Sequence, residues 1–178
     1  MRVQDMTLEE YTKEINGIKW RSLIPLFLAI IIVVVFLGFR VRIFHITGHS
    51  MNPTLYEDDL VFSFYKDKYK RNDLIAFESN GQIMIKRVIG IEKDNINIDE
   101  EGIVYVNGMK VDEYYIIGDT VIDTDQNHIY DVPKESYFVL GDNRDNSLDS
   151  RNSKVGFIKK DDIIGKVSFS IKPLKKLR

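Results

Sequence analysis

The feature that most constrains the fold is an uncharged apolar run near the N-terminus. Residues 23–39, LIPLFLAIIIVVVFLGF, contain no charged side chain over 17 positions. As an α-helix this run is roughly 26 Å long, close to the thickness of a bilayer's hydrocarbon core. Basic side chains flank it at both ends, with Trp20 before it and Arg40 after it, as is typical of interfacial anchors. We therefore predict a transmembrane helix over residues 22–39.

Two other interpretations of the run are open. It could be a buried core helix, although a soluble helix of this length normally keeps a polar stripe. It could also be a cleaved signal peptide, but it starts late and bulky residues follow it where a cleavage site needs small ones. We favour a retained signal anchor. The flanking charges slightly favour a cytoplasmic segment 1–21 and an extracytoplasmic domain 40–178.

The chain after Arg40 has the pattern of a mainly β domain. Short β-branched or aromatic segments are separated by Asp, Asn and Gly, and no helical period is convincing. Asn107-Gly108 predicts a two-residue hairpin turn, since both positions need positive φ. We predict a β-barrel or β-sandwich, and at most a short helix within residues 8–17. The predicted strands lie in VRIFHIT (41–47), DLVFSFYK (59–66), DLIAFES (73–79), QIMIKRVIGIE (82–92), SYFVLGD (136–142) and KVSFSIKPL (166–174).

Composition excludes several kinds of site. The net charge is −2 and the nearest basic tract, residues 172–178, is short, so nothing favours nucleic acid as a partner. The chain has no cysteine, which excludes disulfides, thiolate metal sites and a cysteine nucleophile. His45, His49 and His128 are not at a metal-binding spacing. We therefore expect no cofactor and no metal.

Ser50 is a candidate nucleophile in the stretch GHSMNPTL. Gly48 permits an unusual backbone conformation just before it, and Pro53 stiffens the chain after it. Alone, this pattern is far more often that of a plain turn. A serine nucleophile also needs a base. His49 is adjacent, but neighbouring side chains of an extended segment point apart.

Lys86 is a candidate base in the stretch IMIKRVIG. In a strand its side chain shares a face with Met84 and Val88. If that face is buried, the ammonium form is disfavoured, and a neutral amine can accept the proton of a serine. The alternative is that Lys86 and Arg87 are an ordinary pair of solvated charges at a strand edge.

The stretch GDNRDNSLDSR, residues 141–151, is dense in hydrogen-bonding groups. Read as a calcium loop from Asp142 it fails, because Ser147 stands where glycine is needed. It could be an ordinary Asx-turn loop, but such a segment can also form a rigid internal network. In that network Ser147 could orient an amine, and Asp149 could pair with Arg151.

The three stretches, in this order behind an apolar run, resemble those of bacterial type I signal peptidases, or leader peptidases. GHSMNPTL resembles the family's nucleophile box, KRVIG its lysine box and GDNRDNSLDSR its C-terminal signature. The resemblance extends to about Phe157. The single apolar run, the short insertions and the lack of cysteine are similar to the compact form of Gram-positive bacteria.

The resemblance implies Ser50 as nucleophile, Lys86 as general base and Ser147 as the hydroxyl that orients the lysine amine. In some members of that family the residue two before the nucleophile is a serine that helps the oxyanion hole. Gly48 stands there, so the resemblance implies an oxyanion hole made mainly of backbone N–H groups, in particular that of Ser50. The supporting residues that it implies are Gly48, Met51, Pro53, Asp142, Asp149 and Arg151.

The function implied is that of a membrane-anchored serine endopeptidase, which removes signal peptides that carry small residues at the first and third positions before the cut. The expected partners are preproteins, the lipid bilayer and, by proximity, the secretion translocon. Two rival interpretations are a self-cleaving repressor, for which the N-terminus has no room for a DNA-binding domain, and a catalytically silent homologue that acts in assembly or as a chaperone. The second would be favoured by loss of Ser50 or Lys86, and both are present.

Overall fold

The computed structural model describes residues 20–121, 128–172 and 174–177, and it divides into two units, Met1–Arg40 and Val41–Arg178. In the first unit a helix, α1, runs over Trp20–Arg40. Within the described part of the chain, no helix reaches the length and apolarity needed to cross a membrane. The possible short helix within residues 8–17 lies outside the described residues.

The described part of the second unit is built from twelve short strands in two sheets, whose pairs are antiparallel. The strands are β1 Val41–His45, β2 Leu60–Phe64, β3 Leu74–Ser79, β4 Gln82–Gly90, β5 Asn95–Ile98, β6 Val104–Val106, β7 Met109–Lys110, β8 Ile129–Asp131, β9 Ser136–Leu140, β10 Ile158–Lys159, β11 Ile163–Lys172 and β12 Leu174–Lys176. The larger sheet has the order β1-β2-β11-β3-β4-β9-β10, with β12 paired to β11, and the smaller has the order β7-β6-β5-β8. Turns of 3₁₀ helix occupy Arg144–Asn146 and Lys160–Asp162.

The predicted mainly β architecture is confirmed, and each predicted segment contains a strand. Asn107 and Gly108 both have positive φ and join β6 to β7, as predicted. The prediction missed β5, β8 and β10, which are only two to four residues long and therefore show little periodicity. The closed barrel offered as one architecture is wrong for the described strands: they form two open sheets, and β1 and β10 lie at opposite ends of the larger one.

The centre of the larger sheet is buried on both faces. Along β3, Leu74 and Ala76 pack into one apolar cluster, while Ile75 and Phe77 pack into another on the opposite face. Strand alternation explains this division, since successive side chains point to opposite faces. A third cluster lies between the smaller sheet and β9. The second half of β4, the neighbour of β3, is also buried, so side chains there lie in a largely apolar setting on either face.

Candidate active site

Ser50 lies in the loop between β1 and β2, and the ends of this loop are fastened together. Ile46 N–H donates to the carbonyl of Asp59 at 2.8 Å. Gly48 has φ +85°, which favours glycine. After Ser50, Met51 and Leu55 are buried in a core cluster, and the Leu55 N–H donates to the Met51 carbonyl. The loop therefore holds Ser50 between the predicted glycine turn and a buried anchor.

Lys86 lies in the middle of β4, opposite Ile75 of β3, and only 4% of it is exposed. Met84 and Val88, two positions away on either side, belong to one apolar cluster, so the predicted face is confirmed. Burial lowers the pKa of the Lys86 amine from 10.5 to about 8. Smaller effects come from nearby charges: the carboxylates of Asp149 and Asp142 raise this pKa, and Arg151 lowers it.

The two candidate catalytic side chains meet. Lys86 Nζ lies 2.5 Å from Ser50 Oγ, although the residues are 36 positions apart. An amine with a lowered pKa at this distance can take the serine proton. The alternative that Lys86 is a solvated charge at a sheet edge is wrong, because β4 lies between β3 and β9 and the side chain is buried.

The polar loop 141–151 folds around Asp149. Arg151 binds both oxygens of the Asp149 carboxylate, through Nε to Oδ1 at 2.8 Å and through Nη2 to Oδ2 at 2.9 Å. Asp149 also accepts the Gly141 N–H at 3.0 Å, and both charged side chains are largely buried. The structure thus brings Asp149 and Arg151 together, as predicted. A bidentate pair of this kind fixes the loop geometry as well as its charge.

Asp142 forms a second buried pair, with Arg87. Arg87 donates through Nε and Nη2 at 2.8 and 2.6 Å, and both side chains are almost inaccessible. Thr54 in the Ser50 loop also donates to the Asp142 carboxylate. Asp142 therefore connects the polar loop, β4 and the Ser50 loop at one point.

A direct backbone contact joins the polar loop to the serine. Asn143 N–H donates to the Ser50 carbonyl at 3.0 Å, and the Asn143 side-chain amide donates to the His49 carbonyl at the same distance. A Cβ placed on Gly141 would lie 2.6 Å from the Ser50 carbonyl oxygen. Glycine at this position is thus required for the close approach of the two loops.

Ser147 is brought to the same place. A Cβ on Gly141 would also lie 2.1 Å from Ser147 Oγ, so the hydroxyl packs against the backbone that touches Ser50. Ser147 Oγ is buried and has no hydrogen-bond partner among the described residues. Its contact with the Lys86 amine stays a prediction.

An open cleft of about 430 Å³ lies beside Ser50 and Lys86. Its walls come from the end of β1 with the Ser50 loop and from the first half of β4. They carry both polar and apolar groups, with Phe44, Ile46 and Ile85 among the apolar lining residues. An extended peptide placed in this cleft would pass the serine hydroxyl. Among the described residues, no cluster of three or more His, Asp or Glu side chains is arranged to hold a metal ion.

Residues 19–172 match the family described as signal peptidase, peptidase S26. The chain belongs to this family. A signal peptidase I P of Bacillus subtilis subsp. natto is 34% identical, over 96% of this chain and 97% of the relative. A signal peptidase I of Bacillus caldolyticus is 36% identical over 92% and 94%, and a signal peptidase IB of Staphylococcus aureus is 32% identical over 88% and 91%. A solved signal peptidase I of Enterococcus faecalis is 33% identical over 58% of this chain and 99% of that chain, with a TM-score of 0.47.

Sequence reasoning missed three of the groups that surround the site. Arg87 was considered only as part of a solvated charged pair, but it is buried against Asp142. Arg144 is buried against Glu113, a residue outside the three motifs. Tyr115 packs its ring over the Arg87 guanidinium. One signal was available: an arginine in a strand that is apolar on both faces needs a carboxylate partner.

Proposed function

We propose that this chain is a membrane-anchored serine endopeptidase that removes N-terminal signal peptides from exported preproteins, with Ser50 as nucleophile and Lys86 as general base. The observation that carries the proposal is the 2.5 Å approach of a buried lysine amine to a serine hydroxyl beside an open cleft. Membership of the signal peptidase family supports the substrate class.

The chemistry is acyl transfer. The neutral Lys86 amine removes the proton of Ser50 Oγ as Oγ attacks the scissile carbonyl carbon. The C–N bond of the tetrahedral intermediate then breaks, and the Lys86 ammonium gives its proton to the leaving amine. The Lys86 amine, neutral again, takes a proton from a water as that water attacks the ester carbonyl. The bond between this carbonyl carbon and Ser50 Oγ then breaks, Oγ regains its proton from Lys86, and the signal peptide leaves with a new carboxyl terminus.

The developing oxyanion needs hydrogen-bond donors that are already in place. We assign this role to the backbone N–H of Ser50, which has no acceptor among the described residues. Gly48 has no side chain to offer a further donor. We assign Ser147 as the hydroxyl that orients the amine, and its buried Oγ in the polar loop, which has no partner among the described residues, supports this. Asp149, Arg151 and Asp142 hold the loop.

The anchor is proposed from the sequence: the uncharged run 23–39 begins after a short polar segment and ends eleven positions before Ser50. A single-pass helix with residues 1–21 in the cytoplasm would place the peptidase unit outside the cell membrane. The apolar segment of a signal peptide would lie in the same bilayer and near the translocon, which raises the encounter rate by proximity.

The alternative is a catalytically silent homologue that serves in assembly or as a chaperone. Such a protein has no need to keep a lysine amine buried against a serine hydroxyl, because burying the amine reduces stability. The close Ser50–Lys86 pair therefore favours the enzyme.

The test is incubation of the purified full chain in detergent with a preprotein, followed by mass spectrometry of the new N-terminus. We expect one cut after the signal peptide, with small residues at the first and third positions before it. Ser50→Ala is the matched control and should give no product while keeping the same melting temperature within a few degrees. Processing by Ser50→Ala at the normal rate would overturn the assignment of the nucleophile.

A further inference from the structure

Residues 113–121, here named the strap, follow β7 and lie along the polar loop 141–151. The two segments are joined through their backbones at Ile117. The Ile117 N–H donates to the Asp142 carbonyl and its own carbonyl accepts the Arg144 N–H, both at 2.9 Å. The Asp119 N–H donates to Asp145 Oδ1 at 2.9 Å. The strap thus holds the first turn of the polar loop at two points.

Side chains extend this contact into the protein interior. Arg144 has a side chain that is 0% exposed, and its charge is neutralised by Glu113 of the strap. The same guanidinium donates to Thr120 Oγ1 at 2.9 Å and to the Gly141 carbonyl at 3.0 Å. A buried charged pair leaves an uncompensated charge when one partner is removed, so this contact cannot be lost without a large cost.

Tyr115 connects the strap to β4. Its ring lies over the Arg87 guanidinium, with 4.0 Å between the guanidinium carbon and the ring centroid, and the residue is 8% exposed. The edge of the same guanidinium donates to Asp142 through Nε and Nη2. The Tyr115 hydroxyl is buried and has no hydrogen-bond partner among the described residues. The ring therefore accounts for the contact, and the hydroxyl contributes little to it.

A short path leads from the strap to the nucleophile. Asp142 and Arg144 are held by Ile117, and Asn143 between them donates its N–H to the Ser50 carbonyl. The carboxylate of Asp142, placed by Arg87, also accepts from Thr54 in the Ser50 loop. Displacement of the strap would therefore shift the backbone that fixes Ser50.

We propose that the strap is a positioning element of the Ser50–Lys86 site and that Tyr115 is a positioning residue, outside the three motifs, for the reaction. The inference rests on the proposed function. Among the described residues, no hydrogen bond joins the strap to Ser50 Oγ or Lys86 Nζ, so the effect acts through the polar loop. Since small displacements of reacting groups lower rates strongly, the loss should be in turnover and not in substrate affinity.

The test compares Tyr115→Leu with Tyr115→Phe in the full chain in detergent, with a preprotein as substrate. Tyr115→Leu removes the ring from Arg87, and we expect kcat to fall about tenfold with KM changed less than about twofold. Tyr115→Phe keeps the ring and loses only an unpartnered hydroxyl, so kcat should match that of the wild type. A merely structural role would lower the melting temperature of Tyr115→Leu without changing kcat per folded molecule.

A second pair of variants, at Ile117, tests the positioning role of the strap if Tyr115→Leu does not fold. Ile117 is 42% exposed, so Ile117→Ala should be neutral. Ile117→Pro removes the N–H that donates to Asp142 and should lower kcat about tenfold.

The outcomes separate the two proposals. Normal kcat for both Tyr115→Leu and Ile117→Pro would overturn the positioning role while leaving the peptidase assignment intact. Equal losses for Tyr115→Leu and Tyr115→Phe, or a change in KM alone, would also overturn it. A wild-type chain that does not process the preprotein would instead contradict the proposed function.

Discussion

Replacing Lys86 by methionine should abolish cleavage and at the same time stabilise the protein at neutral pH. Methionine has a similar length and no charge, and it suits the apolar cluster that contains Met84 and Val88. The lysine is only 4% exposed, and burial is the main reason that its pKa falls from 10.5 to about 8. Function thus requires a group that the fold accommodates poorly.

The size of the effect follows from the pKa difference. A fall in pKa from 10.5 to about 8 corresponds to a free energy of roughly 3 kcal/mol, and this free energy favours the unfolded chain. The pKa is lower in the folded state, so the unfolded chain binds more protons between pH 8 and pH 10.5. This destabilisation of the folded state is present in full below pH 8, and it disappears as the pH rises from 8 to 10.5.

The assay is urea unfolding of wild type and Lys86→Met in the same detergent at pH 7, 8, 9 and 10. Subtracting one free energy of unfolding from the other cancels the contributions of the titratable groups that both chains share. We expect Lys86→Met to be more stable at pH 7 by about 1–3 kcal/mol, since the lost contact with Ser50 offsets part of the gain. The advantage should shrink towards pH 10. A difference that does not depend on pH would refute the claim that Lys86 is buried with a lowered pKa.

Three further predictions concern the same site. The kcat/KM of the wild type should rise with pH and reach half its maximum at a pH of about 8, because the neutral amine is the active form. Lys86→Arg should be inactive at every pH. A flat pH profile of the wild type would contradict the assignment of Lys86 as base. Ser147→Ala should lower kcat by roughly ten- to a hundredfold with little change in KM, since an orienting hydrogen bond contributes about 1–3 kcal/mol. Unchanged steady-state kinetics would mean that another group orients the amine. Arg87→Leu should lower the free energy of unfolding by about 3–5 kcal/mol, because Asp142 would be left buried and unpaired. Urea unfolding that matched the wild type would show that stability does not depend on this pair.

The sequence predicted best those features that depend on nearby residues. The Asn107-Gly108 hairpin and the Asp149–Arg151 pair are set by residues within a few positions of one another. The burial of Lys86 was predicted as one of two alternatives, because a period-two pattern shows which residues share a face but not which face is covered.

The remaining contacts depend on how the chain folds over longer distances. Arg87 and Asp142 are 55 positions apart, and Arg144 and Glu113 are 31 apart. The residues around Glu113 carry no motif, and no local rule links them to the polar loop. Similarly, β5 and β8 are stabilised mainly by the neighbours with which they pair, so their own sequences gave too little signal.

The charges around Lys86 explain why an arginine lies beside each of the two carboxylates near it, Asp142 and Asp149. Asp142 and Asp149 hold the loop in place, but each raises the pKa of the lysine amine and so opposes the neutral form that the chemistry needs. Arg87 neutralises the first and Arg151 the second, at distances that allow bidentate pairing. Carboxylates without these arginines would keep the amine protonated, since an opposite charge nearby favours the ammonium. Pairing each carboxylate with its own arginine separates the two effects: the loop stays rigid, and burial remains the dominant influence on the lysine.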